Sequence, residues 1–596
     1  MTGDDNLITG VTDFYRKLVA LPLHFQIAVH PESDRSLDSL EPGTRSRNPE
    51  LWLNPLISRA TAIGKITDPN GNSVQNKIVC GLSKNGQEVP IRTYSFPWAN
   101  PDDLLYENFG TTDVTPGTYH LIAYEYDANS GCQQTPLYRD LGNYTFTANR
   151  TTYIGLYPSW LPALKPSLNS NWDIQTYVRN LASSWRSAMN VTYFYGKYPT
   201  QQWDSTANGQ ATVLIDGETN QSYNGLIVPS LDAAALELLR FHDQPAGTTS
   251  ISAFNGRGAW GWERAGATLY VPLVKVGWYD RRTEVFVINT GSQSAAISFR
   301  FYDADGDPHP ASGWVTATVP PNERFKLSPW NHQLSSGVYS AVIKNDATNQ
   351  PLAAVALEQD SASPYGAPAL YNAYSEGHTT LYAPLVKKKY GHNTSGITLQ
   401  NTTNSAVTFQ AVYYKMNGAE AVGQVTGTIQ PFAPRVLYNP SSIPDNHVGS
   451  VRITSSGKIV GEVSEEHELV QDPRLIYNLS LQDSTNIYLP LWYDNYTAEG
   501  GNWASGVNVQ NVSSYSYNDI TITWHRLDGT VQHSQTISLS SNETRTIYDP
   551  PQLTNFRGSV WIHSNDGQPI VAVSNIHDWA APSGVDSALS FTGSNR

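Results

Sequence analysis

Charged residues are scarce in this sequence: Asp, Glu, Lys and Arg make up only 15% of its 596 residues, against roughly 25% in ordinary soluble domains. The formal net charge is −14, and so acidic a chain lacks the basic surface that nucleic acid or an anionic membrane would require. No apolar run approaches the roughly 18 residues of a transmembrane helix. Methionine is nearly absent with 3 residues, whereas 34 Tyr, 44 Gly and 37 Pro favour strands and turns. The composition therefore predicts several β-rich domains and excludes a coiled coil.

Cysteine is equally scarce, with Cys80 and Cys132 the two in the chain. Two cysteines without CxxC or Cys/His spacing exclude a disulfide scaffold and a structural zinc site. They fall in one predicted domain, where they could form a disulfide in an oxidising compartment or remain buried thiols. The N-terminus has no basic segment followed by an apolar one, so no signal peptide is visible. Low charge with abundant Asn, Ser, Thr and Tyr nevertheless favours an extracellular or cell-surface location.

Self-similarity dominates the rest of the chain. Four segments each begin with an aromatic run that contains a proline, and these prolines are 110, 112 and 106 residues apart: Pro162, Pro272, Pro384 and Pro490. A strand that ends in asparagine follows each run: Asn180, Asn289, Asn401 and Asn511. Each copy holds about seven short alternating runs with turn signals between them, which is typical of an antiparallel β-sandwich of about 100 residues. Short linkers between the copies favour a stiff linear array.

These landmarks divide the chain into six segments. They are an N-terminal extension (1–59), a small β-sandwich (60–155), a divergent first copy (156–266) and three further copies (267–378, 379–485 and 486–596). The predicted fold class is all-β, a linear array of antiparallel Ig-like and prealbumin-like β-sandwiches with an N-terminal extension. Within the first copy, Ala233–Leu239 predicts one or two helical turns, since its alanines and leucines are good helix formers.

The repeats resemble those of secreted Chloroflexota surface proteins, in which a YLPLV run precedes a VQN strand, a YY hairpin and a closing strand that begins with GSA. The third copy matches with Leu399-Gln-Asn401, Tyr413-Tyr414 and Gly449-Ser-Val451, and the fourth with Val509-Gln-Asn511 and Gly558-Ser-Val560. Residues 60–155 are similar to the prealbumin-like domain found beside carboxypeptidases, through Ile63–Gly71 and Asp113–Leu121. The resemblance implies an extracellular surface role, without a single activity.

Few residues are candidates for ligand binding, modification or catalysis. Asp303, Asp305 and Asp307 have the spacing of a calcium loop but lack the downstream Glu of an EF-hand, and the other copies carry hairpin turns there, so a solvated hairpin is favoured. Tryptophans could stack on sugars or simply pack in cores: Trp160, Trp172, Trp260, Trp262 and Trp278. Asn-x-Ser/Thr sites could carry glycans or be polar turns: Asn190, Asn401, Asn495 and Asn542. No catalytic motif or cofactor site is recognised, and the protein is predicted not to be an enzyme.

The favoured functional hypothesis is a structural subunit of an extracellular filament or surface layer that assembles head to tail with other copies of itself. Leu589 and Phe591 end the fourth copy, where the next copy would begin. Phe25, Ile27 and Val29 lie in an N-terminal strand that could complete a sheet of another subunit by β-strand addition. The alternatives are an adhesin or carbohydrate-binding stalk that binds surface glycans, and a viral or phage fibre.

Overall fold

In the computed structural model of this chain, the described residues begin at position 60. They are 60–64, 77–82, 88–94, 109–114, 117–125, 137–146, 151–154, 159–161, 172–181, 187–195, 198–208, 210–216, 224–229, 233–241, 250–255, 268–290, 294–320, 323–345, 350, 352–360, 369–467, 475–480, 484–498, 501–578 and 588–595. The predicted N-terminal strand with Phe25, Ile27 and Val29 lies outside these residues, as does Cys132.

The described residues are almost entirely β-strands in sheets whose pairings are nearly all antiparallel, which confirms the predicted all-β class. The chain divides into two compact units, of which the second holds Ser159–Ser184, Val191–Ile227 and Ala233–Arg596, and thus most of all four copies. Within the described ranges, no helix is long and apolar enough to cross a membrane.

The N-terminal module has two sheets. Its strands are β1 (Ala60–Gly64), β2 (Lys77–Leu82), β3 (Glu88–Tyr94), β4 (Phe109–Val114), β5 (Gly117–Glu125), β6 (Leu137–Phe146) and β7 (Thr151–Ile154). One sheet has the order β4-β1-β7, in which β1 and β7 are parallel, and the other has the order β3-β2-β5-β6. Leu121 and Phe146 are buried, and the ring of Phe146 lies 5.9 Å from that of Tyr119.

Copy 1 also has two sheets. Its strands are β8 (Ser159–Leu161), β9 (Trp172–Asn180), β10 (Ser187–Tyr195), β11 (Tyr198–Ala207), β12 (Thr212–Asp216), β13 (Asn224–Pro229), β14 (Ala233–Phe241) and β15 (Ser250–Asn255). The predicted helical turns at Ala233–Leu239 are wrong, because this segment is strand β14, paired on one side with β9 and on the other with β15. Two ladders of backbone hydrogen bonds outweigh the weak intrinsic helix preference of Ala and Leu.

Copies 2, 3 and 4 repeat this arrangement with different numbers of strands. Copy 2 contains β16 (Thr268–Trp278), β17 (Arg281–Asn289), β18 (Ala295–Tyr302), β19 (Pro308–His309), β20 (Val315–Val319), β21 (Arg324–Leu327), a 3-10 helix (Pro329–His332), β22 (Gly337–Lys344), β23 (Leu352–Asp360) and β24 (Ala369–Asn372). Copy 3 contains β25 (His378–Lys388), β26 (Asn393–Asn401), β27 (Val407–Lys415), β28 (Ala421–Ile429), β29 (Pro434–Tyr438), β30 (His447–His467) and β31 (Leu475–Asn478). Copy 4 contains β32 (Asn486–Asp494), β33 (Tyr496–Ala498), β34 (Gly501–Asn511), β35 (Asn518–Arg526), β36 (Val531–Leu539), β37 (Thr544–Tyr548), β38 (Phe556–Ser564), β39 (Ile570–Asp578), β40 (Ala588–Thr592) and β41 (Ser594–Asn595).

Each copy is a sandwich of two layers, which we call sheet I and sheet II. Sheet I carries the first strand and a hairpin, which turns at Asp-Gly or Asn-Gly in copies 2, 3 and 4; in copy 4 it has the order β36-β35-β38-β32-β41. Sheet II carries the strand that ends in the repeated asparagine and the terminal strand; in copy 4 it contains β33-β34-β39-β40 with β37 beside β34. In copy 3 the long strand β30 belongs to both layers, since it pairs with β25 and β27 and later with β26 and β31.

The repeated proline lies at a β-bulge. In copy 2 the pairing of β16 with β22 shifts between Val271 and Val274, on either side of Pro272, and copies 3 and 4 shift at the same place. Proline cannot donate to a ladder, so a bulge accommodates it. In copy 2 the Tyr371 hydroxyl of the terminal strand bonds the backbone N–H and C=O of Leu273 beside the bulge.

The repeated asparagine joins the two layers of each copy. All four of these side chains are fully buried. Each Nδ2 donates to a backbone carbonyl at or near the end of a hairpin strand, at Ala207 for Asn180 (3.0 Å), Val319 for Asn289 (2.8 Å), Ile429 for Asn401 (3.2 Å) and Leu539 for Asn511 (3.0 Å). The asparagine of the VQN motif is therefore a structural residue, because a buried carbonyl without a donor would destabilise the fold.

The linear arrangement of the copies is wrong: they close on one another. The core of copy 2 includes Ile476 of copy 3, the core of copy 3 includes Val573 of copy 4, and the core of copy 4 includes Tyr177 and Leu236 of copy 1. The terminal strands meet in the same cycle, since β24 contacts β31, β31 contacts β40, β40 contacts β15, and β15 contacts β24.

Equivalent hydrogen bonds link copy 3 to copy 2 and copy 4 to copy 3. In both, the residue before the repeated asparagine donates to sheet I of the preceding copy, from Gln400 to the carbonyl of Ala341 (3.1 Å) and from Gln510 to Ser450 Oγ (3.1 Å). In copy 2 this residue is Ile288, whose side chain has no donor. In copy 1 the equivalent Arg179 lies 3.0 Å from His525 of copy 4. Copy 4 therefore occupies the place of a copy preceding copy 1, and a linear array would leave both of these faces uncovered.

Candidate functional site

Exposed aromatic side chains gather at one end of copies 2, 3 and 4, the end at which the first strand turns into the second. We call them the turn-end aromatics: Trp278, Tyr279, Tyr390, Tyr438 and Tyr548. Tyr438 and Tyr548 occupy equivalent positions at the ends of β29 and β37, opposite Gly396 of β26 and Gly506 of β34. Because the copies repeat one set of contacts around a closed cycle, equivalent ends lie on the same side of the cycle.

The turn of copy 2 is the most exposed of these features. Tyr279 is 81% exposed and Trp278 is 43% exposed, and their ring centroids lie 5.3 Å apart in an edge-to-face arrangement. The turn joins β16 to β17, and Ser336 Oγ donates to the carbonyl of Gly277 at its base (2.9 Å). Two large aromatic rings in water at the tip of a hairpin bury little of their own surface, so core packing does not explain them.

The backbone of this turn is strained. Tyr279 and Asp280 have φ values of 48° and 56°, as a two-residue type I′ turn requires, and Asn and Gly are strongly favoured there. A bulky residue at positive φ costs on the order of 1 kcal/mol or more. Tyr279 therefore stands at a position where a smaller residue would be more stable, which points to a use for its ring.

Further aromatic and charged groups support this end. The Arg282 guanidinium lies 5.1 Å from the ring centroid of Trp330 in copy 2, a distance typical of a cation–π contact. In copy 3 the Asp445 carboxylate accepts from Lys389 (3.0 Å) and lies 3.1 Å from Lys388. Hydrogen bonds from Lys389 and then Lys388 lower the pKa of Asp445, so this carboxylate is charged at neutral pH.

Copy 4 places a carboxyl pair at the same end. Burial first, and then the neighbouring Asp549, raise the pKa of Asp494 to about 7. Asn495 Nδ2 donates to Asp549 Oδ1 (2.9 Å). Within the described part of the chain, no three His, Cys, Asp or Glu side chains are grouped so that they could hold a metal ion.

The three aspartates with calcium-loop spacing form a turn that the chain stabilises itself. Asp303 Oδ1 accepts from the backbone N–H of Asp305 (3.1 Å) and of Asp307 (3.0 Å), and Oδ2 lies 2.9 Å from His309 Nε2. Partial burial raises the pKa of Asp303, but the hydrogen bonds from His309, Asp307 and Asp305 outweigh it, and the net shift is downward. The Asp303 carboxylate is thus occupied by its own hairpin.

Leu589 and Phe591 do not lie where assembly would need them. Both belong to β40, which pairs with β39, and they are 3% and 2% exposed in the core cluster of copy 4. Their side chains fill the fourth copy itself, which removes them as a surface for the next subunit. Cys80 lies in β2, and its pairing with Cys132 stays a prediction because the latter is outside the described residues.

The sequence singled out Trp278 but missed Tyr279 and Tyr390. An aromatic residue followed by Asp or Gly directly after the first strand, as in Tyr279-Asp280 and Tyr390-Gly391, was the available signal. Among the sequons, Asn401 is fully buried with its Nδ2 bonded to three carbonyls, so the folded chain offers no room for a glycan there. Asn495 is exposed.

No protein-family model matches the chain, and no curated protein matches it. Among solved structures it is similar to the tetra-tandem repeat in the extending region of a large adhesion protein, at 13% identity over 72% of this chain and 100% of that one, with a TM-score of 0.09. It is also similar to a mutant of Salmonella alpha-2-macroglobulin (9% identity, 90% and 46% coverage, TM-score 0.13) and to the alpha-L-rhamnosidase of Streptomyces avermitilis in complex with L-rhamnose (9%, 71% and 56%, 0.10). Likenesses this low carry no argument about this chain.

Proposed function

We propose that this chain is a non-catalytic cell-surface protein that binds glycans through the turn-end aromatics. The observation that carries the proposal is the exposed pair of Trp278 and Tyr279 on a strained turn. An aromatic ring presents a flat apolar face to the C–H face of a sugar, and the tyrosine hydroxyl and indole N–H can bond its hydroxyl groups. Neutral sugars suit a surface with so few charges.

The presence of exposed aromatics in three copies supports the proposed glycan binding. Copies 2, 3 and 4 each present an aromatic at the same end, including Trp278, Tyr390 and Tyr548. A polymeric glycan that contacts two such sites gains avidity, because the second contact forms at a high effective concentration. Weak individual sites on one side of a closed cycle therefore suit a repetitive ligand better than a single small molecule.

A glycan array probed with the full chain tests the proposal. We expect binding to at least one class of neutral glycan, and we expect the double variant Trp278→Ala, Tyr279→Ala to lose most of it. Tyr515 and Tyr517 provide the matched control, since they are equally exposed in copy 4 but follow β34 at its opposite end. Equal loss of binding in the Tyr515→Ala, Tyr517→Ala variant, or no glycan binding at all, would contradict the proposal.

Self-assembly is the second candidate, and the outer strands favour it. β28 and β36 each have one partner strand among the described strands, and neither contains Asp, Glu, Lys or Arg. Charges on an edge strand normally prevent edge-to-edge pairing, so these nine-residue edges could accept a strand. The predicted strand around Ile27 would be the donor in a filament or surface layer. Electron microscopy of the chain with and without residues 1–30 tests this, and filaments that persist after the deletion would contradict it.

A further inference from the structure

Arg179 occupies the centre of the contact between copy 1 and copy 4. It lies in β9, is 0% exposed, and points from sheet II of copy 1 toward sheet I of copy 4. Its Nη2 donates to Gln210 Oε1 (2.7 Å) and to His525 Nδ1 (3.0 Å), and its guanidinium lies 5.6 Å from the ring centroid of Tyr488. Nε and Nη1 have no hydrogen-bond partner among the described residues. Two nitrogen atoms of a buried cation, which carry three N–H donors, are therefore unused.

Among the described residues, the recorded contacts of Arg179 include no carboxylate that would balance this charge. Burial lowers the pKa of Arg179 to about 9, which leaves the guanidinium protonated at neutral pH. Burial, and then the charge of Arg179, lower the pKa of His525 to about 4, so the imidazole is neutral and accepts through Nδ1. A buried charge without a counter-charge is strongly unfavourable, since the interior solvates ions poorly.

Two hydroxyl groups with unused hydrogen-bonding capacity lie on the strand faces that carry Arg179 and His525. Thr212 pairs directly with Arg179 across β12 and β9, so the two side chains share a face. Ser559 pairs with His525 across β38 and β35 and shares its face in the same way. Both hydroxyl oxygens are buried without a hydrogen-bond partner in the described part of the chain. Arg179 Nε and Nη1 and these two hydroxyls are thus buried groups whose N–H and O–H donors could all be directed at one acceptor.

The other contacts between copies show that a cation is not needed here. The residues equivalent to Arg179 are Ile288, Gln400 and Gln510, which are neutral and equally buried. The serine equivalent to Ser559 in copy 3 is Ser450, whose Oγ lies 3.1 Å from Gln510 Nε2. The contact between copies 4 and 1 thus differs from its relatives by one positive charge and by a serine hydroxyl left without a partner.

We propose that a small monovalent inorganic anion of the chloride type binds between copies 4 and 1, held by Arg179 and by the hydroxyls of Thr212 and Ser559. One anion supplies the missing charge and accepts from the unused donors together. Because the site is made of both copies, anion binding stabilises the closed cycle over a state in which copy 1 and copy 4 are apart.

Thermal unfolding of the full chain tests the proposal. Chloride is substituted for gluconate at constant ionic strength, so that general screening stays fixed. We expect Tm to rise by a few degrees as chloride replaces gluconate. Arg179→Gln installs the residue that copies 3 and 4 use and should remove the dependence on chloride. Ser559→Ala should weaken it, whereas Ser450→Ala, at the equivalent serine, should leave it unchanged.

Crystals grown with bromide give a readout that does not depend on any variant. An anomalous peak within hydrogen-bonding distance of Arg179 Nε or Nη1 is expected. Absence of that peak, or the same chloride dependence of Tm in the wild type and in Arg179→Gln, would overturn the proposal and leave an ordered water as the occupant.

Discussion

The hydroxyl oxygens of Tyr177 and Tyr493 lie 3.0 Å apart, although 316 residues separate them in the chain. Arg557 Nη2 donates to the same Tyr177 hydroxyl (2.6 Å), and its guanidinium lies 5.3 Å from the ring centroid of Tyr177. Tyr177 is fully buried among the core residues of copy 4. A side chain of the first copy is thus part of the core of the last one.

Tyr177→Ala should therefore destabilise copy 4, which is distant in sequence. Removing a buried aromatic ring costs roughly 3–5 kcal/mol, and part of that loss falls on the strands of copy 4 that surround the ring. Hydrogen exchange measured by mass spectrometry should show faster exchange in β32 and β38. In a linear array the mutation would affect copy 1 and its sequence neighbours only.

Val178→Ala is the matched control for this experiment. Val178 is also fully buried in β9 but does not belong to the core cluster of copy 4. It should weaken copy 1 while changing exchange in copy 4 much less. Equal protection of copy 4 in the Tyr177→Ala variant and the wild type would argue against the closed cycle.

The sequence predicts the individual sandwiches but not how the copies pack against one another. Alternating runs and turn signals give the sandwiches, because side-chain period and turn chemistry are local properties. The angle between successive copies is set by packing across many residues, and short linkers fit an open or a closed arrangement equally well. The sequence did contain evidence against an open array. The first and last copies of such an array should have polar outer faces, but the face of copy 1 that contacts copy 4 carries the apolar side chains of Tyr177 and Leu236.

The candidate binding surface was less predictable than the fold. Trp278 stands out by residue type, but its exposure depends on where β16 ends. The positive φ of Tyr279, which makes its ring costly, follows from the two-residue length of a hairpin that the sequence does not mark with Asn-Gly. Leu589 and Phe591 were misjudged for a related reason, since an apolar chain end can either fill its own copy or extend to another.

Tyr279→Gly should make the protein more stable and its binding weaker. Glycine adopts the left-handed backbone of position 279 without strain, so the free energy of unfolding should rise by about 1 kcal/mol. Urea unfolding measures this change. The control is Tyr515→Gly, an exposed tyrosine for which no positive φ is found, and which should gain no stability. A loss of stability in Tyr279→Gly would mean that its ring contributes packing that outweighs the strain.

Stability should fall as pH rises through the range in which Glu462 loses its proton. Burial, opposed by the nearby Thr398 hydroxyl and the charge of Lys275, raises the pKa of Glu462 to about 8. The unfolded chain releases this proton near a pKa of about 4.3. Between these values the folded state holds more protons than the unfolded state, so each rise in pH costs stability, and the loss is complete above about pH 8.

Glu462→Val tests this dependence of stability on pH, and valine is the residue that two other copies have at the equivalent position. Val355 and Val573 occupy the equivalent positions in copies 2 and 4, opposite Asn372 and Thr592. The variant should be more stable than the wild type at pH 8, and its unfolding free energy should change less between pH 5 and pH 8, because no carboxyl remains to ionise. An unchanged pH dependence in urea unfolding would show that another group is responsible.

Asn401→Ala should be among the most destabilising substitutions in copy 3. The Asn401 amide donates to the carbonyls of Ser405 (2.7 Å), Gln430 (3.0 Å) and Ile429, and its Oδ1 accepts from the N–H and the hydroxyl of Thr403 (2.8 Å each). Removing the side chain leaves buried carbonyls without donors, and we expect a loss of roughly 2–4 kcal/mol in urea unfolding. Asn401→Asp should be no better, since it retains the acceptor but places an oxygen against those carbonyls.

Asn404→Ala, in the exposed part of the same loop, is the matched control and should change stability by less than about 0.5 kcal/mol. A loss as large as that of Asn401→Ala would show that the loop as a whole, rather than the buried amide, holds the two layers together.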